Sequence, residues 1–374
     1  MRKHLNILRT NAQTRSPAIA ARAQSKGHSV AQVLAGSWRL SPSRLHLSTE
    51  ELAEAIPLLL RCGSAALGWR RVRRSDPQTC AAGQELQQAY RLHTIQSALH
   101  EQQLKDVFRR TRAAGIEPLL WKGWAVARLY PEPGLRPYGD IDLLVSPREL
   151  EPAELALRSR TGRLYCVELH TSLYKQYERT PDDVLAHSRS VLLDDVPIRV
   201  PSEEDHLRYL CLHFLHHGAW RPLWLCDIAL AVESRHSAFD WDRCLGGKRK
   251  YADWVACAVG LAYQLLGADV SGTPVVDRAK HLPQWLVPAV LRQWGAGRGM
   301  SFAESLAFSL THYIWQPPKL LRALRDHWRN PVQASVEMSA AFDELPRGPF
   351  QLGAALLRVP RLTKQVGRQL RRTN

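Results

Sequence analysis

Asp140-Ile141-Asp142, inside the short apolar run GDIDLLV, is the tripeptide of this chain most suited to chemistry. On an extended strand alternate side chains share a face, so the two aspartates point one way while Ile141 and Leu143 point into a core. Two carboxylates at that separation repel each other and are hard to keep ionised without a cation. A divalent ion such as Mg2+ relieves the repulsion and prefers hard oxygen ligands. A D-x-D pair also suits a solvated strand edge, so its neighbours decide. Upstream, LLWKGW places Lys122-Gly123 at a strand-to-helix turn whose backbone N–H groups can meet phosphate oxygens. Downstream, Glu168 stands between Val167 and Leu169 in LYCVELH, an acid in an apolar strand that a shared metal would explain. Arg136, four residues before Asp140, can take a phosphate through two parallel N–H bonds. Mutual repulsion further predicts that Asp140→Asn or Asp142→Asn leaves the metal-free fold at least as stable.

These residues need strands and turns to hold them. Ile116 to Trp121 reads as a buried strand, followed by a short helix at 124–130, a Pro- and Gly-rich loop, a strand at 140–145 and a third strand at 164–170. Asp194-Asp195 marks a hairpin between 191–193 and 196–200. Before this unit, Ser48-Thr-Glu-Glu is a capping box for a helix near 50–62, and a helix at 85–113 carries Leu86, Tyr90, Leu92, Ile95, Leu99, Leu104 and Val107 as one buried stripe. After it, helices are expected at 203–217, 222–233, 249–267, 283–294, 301–313, 318–328 and 354–371. The fold class is α+β, a small mixed β-sheet with flanking helices followed by a larger all-helical region. The expected divisions are a flexible basic segment at 1–45, amino-terminal helices at 46–114, the sheet unit at 115–201, a helical domain at 202–345 and a basic helix or tail at 346–374. Because 1–45 shows neither periodicity nor motif, its loss is expected to leave activity unchanged.

The formal net charge is +16, yet residues 1–49 hold eight Lys/Arg and 351–374 hold six, with no acid in either. The remaining 50–350 carry 37 bases against 35 acids, so no groove for a long nucleic acid is legible in composition. The seven cysteines include no C-x-x-C pair and look like apolar core residues, which suits a reducing, cytoplasmic setting. The acid-free, Arg-rich amino terminus has the composition of a transit peptide as well as of a disordered tail. His213 and His217 have zinc-compatible spacing but lack the Glu and third ligand of H-E-x-x-H sites, so packing or a substrate hydrogen bond is the simpler role. Asp227, in LWLCDIAL, reads as a buried helix–helix partner, and Asp240 as an N-cap. The run LLRVPRLTKQVGRQLRR interleaves bases with Leu and Val and can make weak contact with an anionic membrane surface.

The ordered runs LLWKGWAVARLY, RPYGDIDLLV and VELH, with VPSEEDHLRYLCLHFLHHGAWRPLWLCDIA and FDWDR after them, resemble the uncharacterised nucleotidyltransferase family of bacteria, within the DNA polymerase β-like superfamily. The resemblance extends over roughly 50–340 and is strongest over 115–245. It implies a polymerase β-like core and transfer of a nucleoside monophosphate, most often AMP, from a nucleoside triphosphate such as ATP to an acceptor hydroxyl. Pyrophosphate would leave by a two-metal mechanism with Mg2+ or Mn2+. Asp140 and Asp142 would hold both ions and Glu168 would complete the one nearest the attacking hydroxyl. Lys122 and Gly123 would stand in place of the superfamily's Gly-Ser turn under the triphosphate, with Arg136 nearby. The acceptor would be a small molecule, a protein side chain or an RNA end. Only 25 residues intervene between Asp142 and Glu168, short for that family. A catalytically inactive nucleotide-binding or protein-interaction module with the same fold is the alternative.

Overall fold

The computed structural model describes residues 2–373 except 160–161, 164, 174, 298–312, 314–315, 317 and 320–327; side chains are described from residue 18 to residue 360, outside those gaps and residues 159 and 162–163. The chain opens with α1 (Arg2–Leu34), α2 (Thr49–Arg61), α3 (Ala65–Val72), α4 (Pro77–Ala82) and α5 (Gln84–Ala113). Ser48 caps α2 as expected, its hydroxyl accepting from the Glu51 N–H while the Glu51 carboxylate accepts from the Ser48 N–H.

The sheet unit follows. β1 (Leu119–Leu120) leads through Lys122-Gly123 into α6 (Trp124–Ala127), and β2 (Ile141–Leu144) carries Asp142. Beyond α7 (Leu150–Ala156), β3 (Arg158–Ser159) and β4 (Gly162–Arg163), the chain returns as β5 (Val167–His170). β2 is central, antiparallel to β1 and parallel to β5, with Asp142 opposite Glu168 and Leu144 opposite His170. All four residues of β2 are buried, because both of its faces are covered. Ile141 and Leu143 pack with Leu104, Val107 and Phe108 of α5, whereas Leu144 joins Leu119 and Trp121 on the other face. After α8 (Pro181–Ala186), the expected hairpin forms from β6 (Arg189–Leu193) and β7 (Val196–Val200). Asp194 takes φ 53° at its tip, the left-handed conformation that Asp tolerates in tight hairpin turns.

From there the chain is helical: α9 (Glu203–His216), α10 (Pro222–Glu233), α11 (Trp241–Leu245), α12 (Arg249–Leu266), α13 (Val276–Lys280), α14 (Leu286–Gly295), α15 (Pro331–Glu337) and α16 (Gly348–Thr373). The helices expected at 301–313 and 318–328 lie almost wholly outside the described residues. α9 packs against α10, α11, α12 and α15 and is almost entirely buried. The whole is α+β, and among the described residues no helix is long and apolar enough to cross a membrane.

Two expectations about packing are corrected. The stripe on α5 is buried at its ends, through Leu86, Leu104 and Val107, but Leu92, Ile95 and Leu99 in the middle are exposed. The helix is long enough to pack on α3 at one end and on the sheet unit at the other, and its middle bridges the two. There only the opposite face is covered, by Gly134 against Thr94 and by Tyr138 against His100. The second correction concerns residues 1–45, whose latter half is core rather than flexible tail. Val30, Val33, Leu34 and Trp38 are fully buried, and the Trp38 indole N–H donates to Glu233 at 2.9 Å. α1 passes α14 backbone to backbone: a Cβ on Gly27 would strike the Leu291 carbonyl, and one on Gly295 the Ala23 carbonyl. The apolar run is short, lies among small and polar residues, and follows a basic stretch without periodicity, which hid the pattern. Burying each such side chain contributes about 1.5–3 kcal/mol, against a total stability of about 5–15 kcal/mol for a domain. Deleting residues 1–40 should therefore abolish cooperative unfolding in thermal denaturation; a truncated chain that melts within a few degrees of the full one would contradict this packing.

Candidate active site

Asp142 is the organising residue. Strand alternation sends its side chain away from Ile141 and Leu143, to the face that Leu144 shares with Trp121 and α9. Its carboxylate is 1% exposed and takes two partners on Oδ1, the Lys122 ammonium at 2.8 Å and the His170 imidazole Nε2 at 2.8 Å. Glu168 Oε2 stands 3.8 Å from the same imidazole and is 57% exposed, so this edge of the site opens to solvent. Burial works to raise the Asp142 pKa, but the hydrogen bond from His170 and the charge of Lys122 outweigh it and hold the carboxyl below its usual value.

Each partner is placed by a local device. Lys122 follows β1, which is fixed to β2 by the Trp121 N–H donating to the Asp142 carbonyl at 2.9 Å. Gly123 then turns the chain with φ 64° and ψ −115°, a backbone state open to glycine, and an added Cβ would meet the Asp140 carbonyl at 3.4 Å. Glu168 and His170 sit two apart on β5, so both reach the Asp142 face while Val167 and Leu169 turn to the core.

Asp142, Glu168 and His170 each offer a ligand atom within 4.8 Å of the other two, and they are the only such grouping of three among the described residues. Two carboxylates and an imidazole fit a hard to borderline divalent ion such as Mg2+ or Mn2+. Asp140 stands one residue before β2, half-buried and outside this group. The charge of its carboxylate is felt by His100, Arg136 and Arg221. Arg136 is not at the site edge. It is buried against Asp227, with Nη2 3.0 Å from Oδ2, and the Tyr130 hydroxyl donates to the same carboxylate at 2.8 Å. Asp227 is thus a buried structural partner, as expected, while Arg136 is held away from the role of phosphate donor expected of it. Asp240 caps α11 as anticipated, accepting from the Arg243 N–H.

His170 is the site residue that the sequence reading missed. The signal was present in VELH, where Glu168 and His170 alternate in the same way as Asp140 and Asp142. The wall facing Lys122 comes from α9 and α10. His213 stacks on Tyr209, with 5.4 Å between centroids, and lies 4.5 Å from both Trp224 and His217. Burial pushes His213 well below the usual histidine pKa and His217 down to about 4, with the Lys122 charge adding to both. These imidazoles are neutral packing groups at neutral pH, and among the described residues they form no grouping with a third ligand.

A family model described as uncharacterised nucleotidyltransferase matches this chain at residues 56–166 and at 159–264. The first match holds Lys122, Asp140 and Asp142, the second Glu168 and His170, and they meet on the link between β2 and β5. No curated protein and no solved structure matches the chain.

Because the groups on Asp142 are cationic or hydrogen-bond donors, Asp142→Asn should destabilise the chain, against the expectation from carboxylate repulsion. Lys122 keeps some solvent, so the loss should be about 1–3 kcal/mol. The folded carboxyl is depressed, so its stabilisation is full above the ordinary aspartate range and is lost as pH falls through the folded value. Urea denaturation of the wild type and Asp142→Asn should accordingly differ at pH 7 and converge below about pH 4. A variant equal to wild type at pH 7 would exclude the ion pair.

Proposed function

The chain belongs to the uncharacterised nucleotidyltransferase family, and from that premise we propose that it transfers a nucleoside monophosphate, AMP from ATP, to an acceptor hydroxyl with release of pyrophosphate. The observation that supports this most is the buried carboxylate of Asp142, in register with Glu168 and within reach of His170 on the adjacent parallel strand. In this reading Asp142, Glu168 and His170 hold one divalent ion, and Asp140, at the entrance to β2, is the added ligand for a second. Bound metal would lower the acceptor hydroxyl's pKa and steady the leaving pyrophosphate. In the metal-free site His170 Nε2 holds the Asp142 carboxylate, a bond that metal binding would replace, and Lys122 supplies a positive charge that triphosphate oxygens can share. Gly123 gives the turn the positive-φ backbone that carries the chain from Lys122 into α6 beneath the place proposed for the phosphates. The near-neutral body favours a small molecule or a protein side chain over a long nucleic acid as acceptor.

One feature favours a second reading, triphosphate binding without transfer. Lys122 and His170 already engage Asp142, and the link from β2 to β5 is short. Incubation with each labelled triphosphate, Mg2+ or Mn2+ and candidate acceptors separates the two through pyrophosphate release.

Glu168→Gln is the most informative variant, because an exposed residue can change without loss of fold. Turnover should fall by about two to four orders of magnitude, since each ~1.4 kcal/mol of lost transition-state stabilisation is about tenfold in rate. Mn2+ affinity, followed by electron paramagnetic resonance, should fall about tenfold or more, with the melting temperature unchanged. A variant that binds Mn2+ and turns over like wild type would remove Glu168 from the site.

A further inference from the structure

Over its described side chains, residues 348–360, α16 has one face packed and the other bare. Its inner side meets α15 and the segment around it: Ala354 is fully buried, Gly353 lies against Met338, and Gln351 donates to the Arg329 carbonyl at 2.7 Å. The outer side carries Leu352, Leu356 and Val359, spaced four and three apart so that they line one helical face. Leu352 is 57% exposed and Leu356 70%, with Leu357 beside them at 61%. A row of exposed leucines on a helix is unusual on a free surface and points to something that covers it.

The charge identifies what that is. Residues 348–374 contain no acid and six bases, Arg358, Arg361, Lys364, Arg368, Arg371 and Arg372. A protein partner would need a concentrated acidic face beside an apolar groove, whereas the surface of an anionic bilayer offers both together: phosphate head groups for the bases and acyl chains for the leucines. We propose that α16 lies on an anionic phospholipid surface, its leucine face inserted at the head-group level and its bases drawn to lipid phosphates, so that the enzyme works at a membrane surface. The apolar contribution and the electrostatic one are each weak alone, so attachment is reversible and sensitive to salt.

The full chain should be sedimented with phosphatidylcholine vesicles and with phosphatidylcholine vesicles containing phosphatidylglycerol, at low and at physiological salt. Partition onto the anionic vesicles should be at least about tenfold stronger than onto the neutral ones and should weaken as salt rises. The double variant Leu352→Glu/Leu356→Glu should lose about tenfold or more of that partition, with its melting temperature unchanged because both side chains are exposed. If that variant melts lower, Leu356→Ser supplies the same comparison with less disturbance. Failure to sediment with either vesicle, equal partition onto both, or full binding by the variants would overturn the proposal. So would an apolar face whose only effect is self-association of the chain, seen in analytical ultracentrifugation without lipid and relieved by the same substitutions.

Discussion

A carboxylate buried to the extent of Asp142 cannot remain ionised without compensation, because the interior solvates charge poorly and an unpaired ion there costs several kcal/mol. The architecture of the sheet unit follows from supplying that compensation from two directions. β1 brings Lys122 and β5 brings His170, and both meet one oxygen of a residue on the strand between them. The mixed topology matters here. The antiparallel β1 places its terminal turn beside Asp142, and the parallel β5 places Glu168 directly opposite it. A one-residue slip of β5 would turn Glu168 and His170 into the apolar layer and leave Lys122 as the principal partner.

The loop between α6 and β2 is disciplined by a second set of buried charges. Arg136 is locked to Asp227 on α10, and Glu132 gathers Arg70, Arg73 and the Tyr90 hydroxyl. These contacts tie the loop to the helical layers on both sides of the sheet unit, so the entrance to β2 is held by helices distant in sequence. The helical region thus acts as a brace for the site as well as supplying the histidine and tryptophan wall that faces Lys122. Asp140 lies where the braced loop becomes strand, which is why it is half-buried yet outside the close group formed by Asp142, Glu168 and His170.

What could be read from the sequence was whatever local spacing controls. The alternation of Asp142 with apolar residues, the Ser48 capping box, the hairpin at Asp194-Asp195 and the run of helices after Ser202 all depend on neighbours within a few positions. What escaped depends on distant partners. Arg136 has the features of a phosphate donor until Asp227, remote in sequence, is seen to hold it. Leu92, Ile95 and Leu99 satisfy the helical period, but period alone does not say how far along a long helix the neighbouring layer extends. In the amino-terminal segment the reverse occurred: a few apolar residues among small and polar ones conceal a helix that α14 accepts at glycine contacts.

The excess positive charge is divided in the same way. Part of the amino-terminal excess is consumed inside the fold: Arg22 and Lys26 meet Glu54, and Arg39 forms a two-point pair with Glu233 while also reaching the Gly267 carbonyl. Those three charges lock helices together and are not offered to a ligand. At the other end no acid occurs within α16 to compensate its bases, and the helix shows leucines where the amino-terminal helix buries its valines. Two termini of like composition are therefore packed differently in their described parts. The amino-terminal bases are met by Glu54 and Glu233 of the folded body, whose positions net charge does not reveal.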